Sequence, residues 1–133
     1  MYHSFEDLDV WKRACALAVQ IYEVLKNCRD HALRDQMQRA SVSIASNIAE
    51  GAERGGKDFL RFLSIARGSA AELRTQAYIA AKIGLIDKAT LGGLVLELKG
   101  ISKMLTGLSK ALQSQARQLP IRSENREPKT ENR

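Results

Sequence analysis

From Met1 through Leu119 the chain contains no proline; its two prolines, Pro120 and Pro128, stand in the final stretch. Proline removes a backbone donor and its ring clashes with the preceding helical turn, so continuous helix needs long segments without it. Turn-rich β folds, by contrast, place proline freely between their short strands. A proline-free run of this length points to an all-α fold. The run is long enough for one domain, residues 1–119, with a core that needs neither disulfides nor metals. Residues 120–133 are polar and charged apart from Ile121, and are expected to form a disordered tail.

Apolar residues recur at helical spacing in four segments. The first, about Asp7 to Asn27, places Leu8, Trp11, Cys15, Ala18, Val19, Tyr22 and Leu25 on the face expected to be buried, with Ser4 and Asp7 as its start signal. The second, about His31 to Arg54 with Asp30 as cap, presents Leu33, Met37, Ala40, Ile44, Ile48 and Gly51, and Gly55-Gly56 ends it. The third, about Lys57 to Ile83, presents Phe59, Phe62, Leu63, Ala66, Ala70, Leu73 and Ala77. It carries a second apolar stripe of Ile65, Ile79 and Ile83, which suggests contacts beyond its own bundle. After Gly84, Asp87 caps a fourth helix reaching about Gln118, with Leu91, Leu94, Leu98, Ile101, Leu105, Leu108 and Leu112 inward. Its length is expected to carry its last turns past the bundle. Short connections make neighbouring helices antiparallel, an up-down-up-down four-helix bundle.

Several kinds of chemistry find no support in these residues. Gly51 to Asp58 matches G-x-x-x-x-G-K, but a phosphate-binding loop needs a preceding strand and a Ser or Thr after the lysine; here a helix precedes and Asp58 follows. The only histidines, His3 and His31, lie near a terminus and at a helix start, so no Glu-x-x-His metal pair or histidine-assisted nucleophile forms. Neither an enzyme nor a cofactor is expected. Cys15 and Cys28 share one helix, about 20 Å apart, too far to bridge, and read as thiols of a reducing compartment. With no signal-peptide pattern at Met1-Tyr2-His3-Ser4 and no membrane-length apolar run, a cytoplasmic protein is expected.

Three patterns remain as candidates. Ser43, Asn47, Glu50 and Arg54 border the apolar face of the second helix, and Arg67, Ser69 and Glu72 flank that of the third. They read as a half-buried polar network fixing helix register, with a small polar pocket as the alternative. Gly93, Gly100 and Gly107 recur every seventh residue on the fourth helix, each costing about 1 kcal/mol against alanine. Such a strip suggests a close-packed seam, within the bundle or between subunits. Lys88, Lys99, Lys103, Lys110 and Arg117 fall within about 60° of one another opposite the apolar face of the same helix. The formal net charge is +6, and its excess lies in the second half of the domain. A solvated outer face is the plain account of the stripe; repeated around an oligomer it becomes a nucleic-acid-binding surface, without base stacking because no aromatic interleaves.

The run Arg39-Ala40-Ser41-Val42-Ser43-Ile44-Ala45-Ser46-Asn47-Ile48-Ala49-Glu50-Gly51 resembles a signature of the four-helix-bundle proteins encoded in intervening sequences of bacterial 23S rRNA genes. Residues Phe62 to Leu73 resemble the second signature of that family. Leu8-Asp9-Val10-Trp11 and Lys103 to Leu108 are similar to its first and last helices. Arg74 departs from the pattern, where the family often carries an acidic residue. The resemblance spans residues 5 to about 112. It implies an up-down bundle assembled as a homo-oligomer, typically a pentamer, and offers no catalytic residues. It also points to RNA or a reverse transcriptase as partners; the basic stripe would suit RNA or DNA alike, and no membrane is expected because no apolar run is long enough to span one.

Overall fold

A computed structural model describes residues 4–118. The expected polar tail, 120–133, lies outside the described residues. Among the described residues there are four α-helices and no strand: α1 (Asp9–Val24), α2 (His31–Arg54), α3 (Gly56–Lys82) and α4 (Lys88–Gln118). None is long and apolar enough to cross a membrane. Each helix is bounded by the chemistry its sequence offers. Asp30 caps α2 by accepting from the backbone N–H of Leu33 at 3.0 Å, and Asp87 does the same for Thr90 at 2.7 Å at the start of α4. At the α2–α3 turn Gly55 and the first residue of α3, Gly56, stand at φ 73° and 57°, a conformation that other residues adopt with strain. Gly84, at φ 82°, closes α3 in a Schellman arrangement: Leu85 N–H bonds to the carbonyl of Ala80 and Gly84 N–H to that of Ala81.

The start of α1 differs from expectation. Ser4 and Asp7 do form a reciprocal capping box, but on a separate 3-10 turn, Phe5–Asp7. The α-helix begins only at Asp9, and it ends at Val24 rather than near Asn27.

The helices pack in a closed cycle, α1 with α2, α2 with α3, α3 with α4, and α4 with α1, the α2–α3 contact being the most extensive and α1–α4 the least. A single core fills the centre, built from Leu17, Ile21, Met37, Ile44, Ile48, Leu63, Leu73, Leu94, Leu98, Ile101 and Leu105 among others. The inward faces of α2 and α3 are those the periodicity indicates, with Leu33 only partly buried. That of α1 is not. It buries Val10, Ala14, Leu17, Ile21 and Leu25, while Leu8, Trp11, Cys15 and Ala18 are half-buried and Val19 and Tyr22 are 64% and 49% exposed. Two apolar stripes run side by side along α1, and packing against α4 and α2 selects the one next to the stripe expected. On α4, Leu91, Leu108 and Leu112 are half-buried, and from Thr106 to Arg117 no side chain is fully buried. Its final turns have outrun the core.

Candidate functional site

The inward residues of α4, Leu94, Leu98, Ile101 and Leu105, fix its rotation and so decide what faces solvent. Lys88, Lys99, Lys103, Lys110 and Arg117 are all exposed. None of them takes part in an ion pair among the described residues. The one acidic residue of α4, Glu97, is turned away from them. Its carboxylate receives two hydrogen bonds from Arg13 of α1, from Nε at 2.9 Å and from Nη2 at 2.8 Å. These bonds hold Glu97 below the usual glutamate range and push the Arg13 guanidinium up. The stripe is thus left uncompensated on its own helix. Arg67 of α3 joins its edge, donating to Thr106 Oγ1 at 3.3 Å.

The polar residues of α2 and α3 form separate pieces. Ser43 and Ser69 meet across the α2–α3 contact, Oγ to Oγ at 2.9 Å. Asn47 donates to both the carbonyl and the hydroxyl of Ser43, at 2.8 and 2.9 Å. Arg54 pairs with Glu50 at 3.1 Å and Asp58 at 3.5 Å, and lies over the Phe62 ring, whose centroid is 5.1 Å away. That cluster belongs to the α2–α3 turn. Glu72 accepts from Gln76, itself buried, and lines a notch of about 170 Å³ with Gln36, Arg39, Ala40 and Ser43. Ser43, Asn47 and Ser69 are thus joined by hydrogen bonds across the α2–α3 contact, and Glu72 and Ser43 share a small polar notch. Arg67 belongs to neither.

The glycine strip is not a helix–helix seam inside the chain. A Cβ added at Gly93 or Gly107 would meet nothing within 4 Å, and one at Gly100 would meet only the Arg13 guanidinium, at 2.7 Å. The glycine that does permit close approach is Gly51, where an added Cβ would lie 2.6 Å from the Phe62 Cβ. Around Gly55 the G-x-x-x-x-G-K run is a helix–turn–helix with no preceding strand. Among the described residues no three His, Cys, Asp or Glu side chains come together as a metal site. Cys15 and Cys28 are free, and burial pushes the Cys15 thiol up, away from thiolate chemistry at neutral pH.

Two surface grooves escaped the sequence. Between α3 and α4, Tyr78, Leu91, Gly92, Val95 and Leu96 line a groove of about 500 Å³ with Lys88 and Lys99. Between α1 and α2, Trp11, Cys15, Ala18, Val42, Ala45 and Ala49 line one of about 360 Å³. Phe5 closes its end by stacking edge-on against Trp11, with ring centroids 5.1 Å apart. The apolar periodicity that marks these residues as helical is also what hid them, because it assigns Trp11, Cys15 and Leu91 to the core.

Comparison with known proteins places this geometry. A family model described as 23S rRNA-intervening sequence protein matches residues 6–107. A crystal structure of a protein with unknown function from the S23 ribosomal protein family of Bacteroides thetaiotaomicron VPI-5482 is similar, with a TM-score of 0.71 at 24% identity over 76% of this chain and 98% of that one. At that identity the likeness speaks for the fold alone. No curated protein matches.

Proposed function

The chain belongs to the 23S rRNA-intervening sequence protein family, and from that premise we propose a non-enzymatic, homo-oligomeric scaffold that binds structured RNA through the outer face of α4. The carrying observation is the row of five exposed cations, uncompensated on their helix because Glu97 is engaged by Arg13. A phosphate backbone is the ligand such a row suits: long-range attraction, release of counterions, and no base-reading side chains among the lysines.

The scaffold is an antiparallel up-down-up-down bundle. Supporting this, contact partners ascend on α2 as they descend on α3, Ser43 meeting Ser69 and Gly51 lying against Phe59 and Phe62. Assembly, with a pentamer as the expected size, is supported by large apolar side chains left in solvent on several helices: Tyr22, Val42, Ile65, Tyr78, Ile79, Ile83 and Leu96. Two free thiols suit the cytoplasm.

The test is an anisotropy titration of an RNA hairpin with wild type and a Lys103→Glu/Lys110→Glu/Arg117→Glu variant, with light scattering to show equal mass. Wild-type binding and at least tenfold weaker binding by the variant are expected. Equal affinity of the two proteins would remove the nucleic-acid face. A protein–protein adaptor, for example for a nucleic-acid enzyme such as a reverse transcriptase, is the second reading. Leu96 favours it, since a side chain that apolar and exposed between Lys88 and Lys99 is of no use to a phosphate.

A further inference from the structure

We propose that the α3–α4 groove of one subunit receives the α1–α2 face of the next, so that subunits join head to tail. This rests on the homo-oligomer reading and specifies its surfaces.

The two grooves share an apolar floor and differ in charge balance. The α3–α4 groove has an apolar floor of Tyr78, Leu91, Val95 and Leu96, and only cations, Lys88 and Lys99, among its charged lining residues. Arg74 and Lys82, one turn to either side of Tyr78 on α3, add to the same sign, against one acid, Asp87, beside Lys88. The α1–α2 face is apolar through Trp11, Ala18 and Val42, and continues to Tyr22. Its borders carry the acids Glu6 beside Phe5, Glu53 one turn beyond Ala49 and Asp35 one side of Val42, together with Lys12 beside Trp11 and Lys26 one turn beyond Tyr22. Arg39 also lines that end, and Asp35 pairs with Arg34 at 3.2 Å, so the acidic character is strongest towards Glu6 and Glu53. The division extends through the molecule. Residues 1–56 hold seven basic and eight acidic groups, residues 57–119 ten and four.

Self-pairing is disfavoured by the same charges. Two α3–α4 grooves face to face would set Lys88 and Lys99 against their own images in a desolvated contact. Pairing unlike faces instead brings lysines to carboxylates and apolar floor to apolar floor. Because the helices pack in a closed cycle, the α1–α2 and α3–α4 pairs form opposite sides of the bundle. A contact between opposite sides is heterologous and propagates, as a ring if the rotation closes. Lys88 and Lys99, at one end of the five-cation row, then enter the interface, so in the assembled protein the nucleic-acid face narrows to Lys103, Lys110 and Arg117.

Val42→Asp and Leu96→Asp test this, each at a side chain already 43% or 74% exposed, so that folding, checked by circular dichroism, is preserved. Wild type is expected to assemble, and each variant alone to sediment as a 14.8 kDa monomer. Mixed in equal amounts, they are expected to form a species of twice that mass and nothing larger, since one intact pair of faces survives. If wild type is itself a monomer, the oligomer reading falls and this assignment with it. If wild type assembles but Leu96→Asp assembles equally well, the groove serves another partner, and the assignment alone is overturned. It is overturned equally if the mixed variants stay monomeric, or if just one of them assembles by itself.

Discussion

Gly51 and Gly107 look alike in the sequence, each a glycine inside a helix, and they stand in opposite situations. At Gly51 an added methyl group would lie 2.6 Å from Phe62 Cβ and 3.2 Å from Phe59 Cδ1, so α2 and α3 would have to separate. Overpacking of this kind costs about 1–3 kcal/mol, against about 1 kcal/mol regained in helix propensity. Gly51→Ala is expected to lower the urea midpoint despite alanine's preference for helix. At Gly107 nothing stands within 4 Å, so Gly107→Ala keeps the gain of about 1 kcal/mol, with unchanged mass by light scattering. A Gly107→Ala variant that loses mass would place the glycine strip in a subunit contact after all. The seven-residue recurrence of glycine was legible; which glycine is pressed against a neighbour was not, because that depends on residues of the next helix. Ser43 and Asn47 show the reverse case. Their spacing beside an apolar face places two polar side chains within reach of the next helix, and Ser43 meets Ser69 there while Asn47 donates to Ser43.

At the scale of the element, α2, α3 and α4 were readable because one apolar stripe dominates each, the shorter Ile65, Ile79 and Ile83 stripe of α3 being left exposed, and α1 was misread because its two stripes are evenly matched. Val10, Ala14, Leu17 and Ile21 repeat at the same spacing as Trp11, Cys15, Ala18 and Tyr22, rotated by one residue. Periodicity identifies such a helix but cannot choose its inward face; the larger aromatic side chains drew the assignment outward. The least extensive contact in the bundle, α1 with α4, is the one spanned by the Arg13–Glu97 pair, whose members lie too far apart in sequence for any local pattern to join them. The pair is partly exposed, so a contribution of about 0.5–1 kcal/mol is the fitting magnitude even with two hydrogen bonds. Glu97 is depressed in the folded state, so its contribution is full above the unfolded glutamate value of about 4.3 and is lost as pH falls through the lower folded value. Glu97→Gln is therefore expected to be less stable than wild type at pH 7, with the gap narrowing as pH falls below the ordinary glutamate range in urea titrations. A gap that does not change with pH would mean that the glutamine disturbs packing rather than charge.

For the whole molecule the decisive property is polarity of charge rather than net charge. The all-α class followed from the missing prolines and the four helices from periodicity, yet the two grooves emerged only once all four helices were packed. Their opposite rims give salt two separable effects. Subunit contacts of the proposed kind place carboxylates against lysines over an apolar floor, and close, partly desolvated pairs are screened little. Lys103, Lys110 and Arg117 face open solvent, where screening and counterion release act in full. If each neutralises one phosphate of an RNA duplex, the logarithm of affinity is expected to fall with the logarithm of salt with a slope of about −2 to −3 per subunit engaged. Over the same range the assembled mass should hold nearly constant. Parallel anisotropy and light-scattering titrations from 50 to 300 mM salt measure both. A binding slope near zero would mean that the ligand is held by apolar contact and would favour the adaptor reading. Mass that collapses in step with RNA affinity would mean that the lysines of the groove and those of the outer face serve one electrostatic contact, not two.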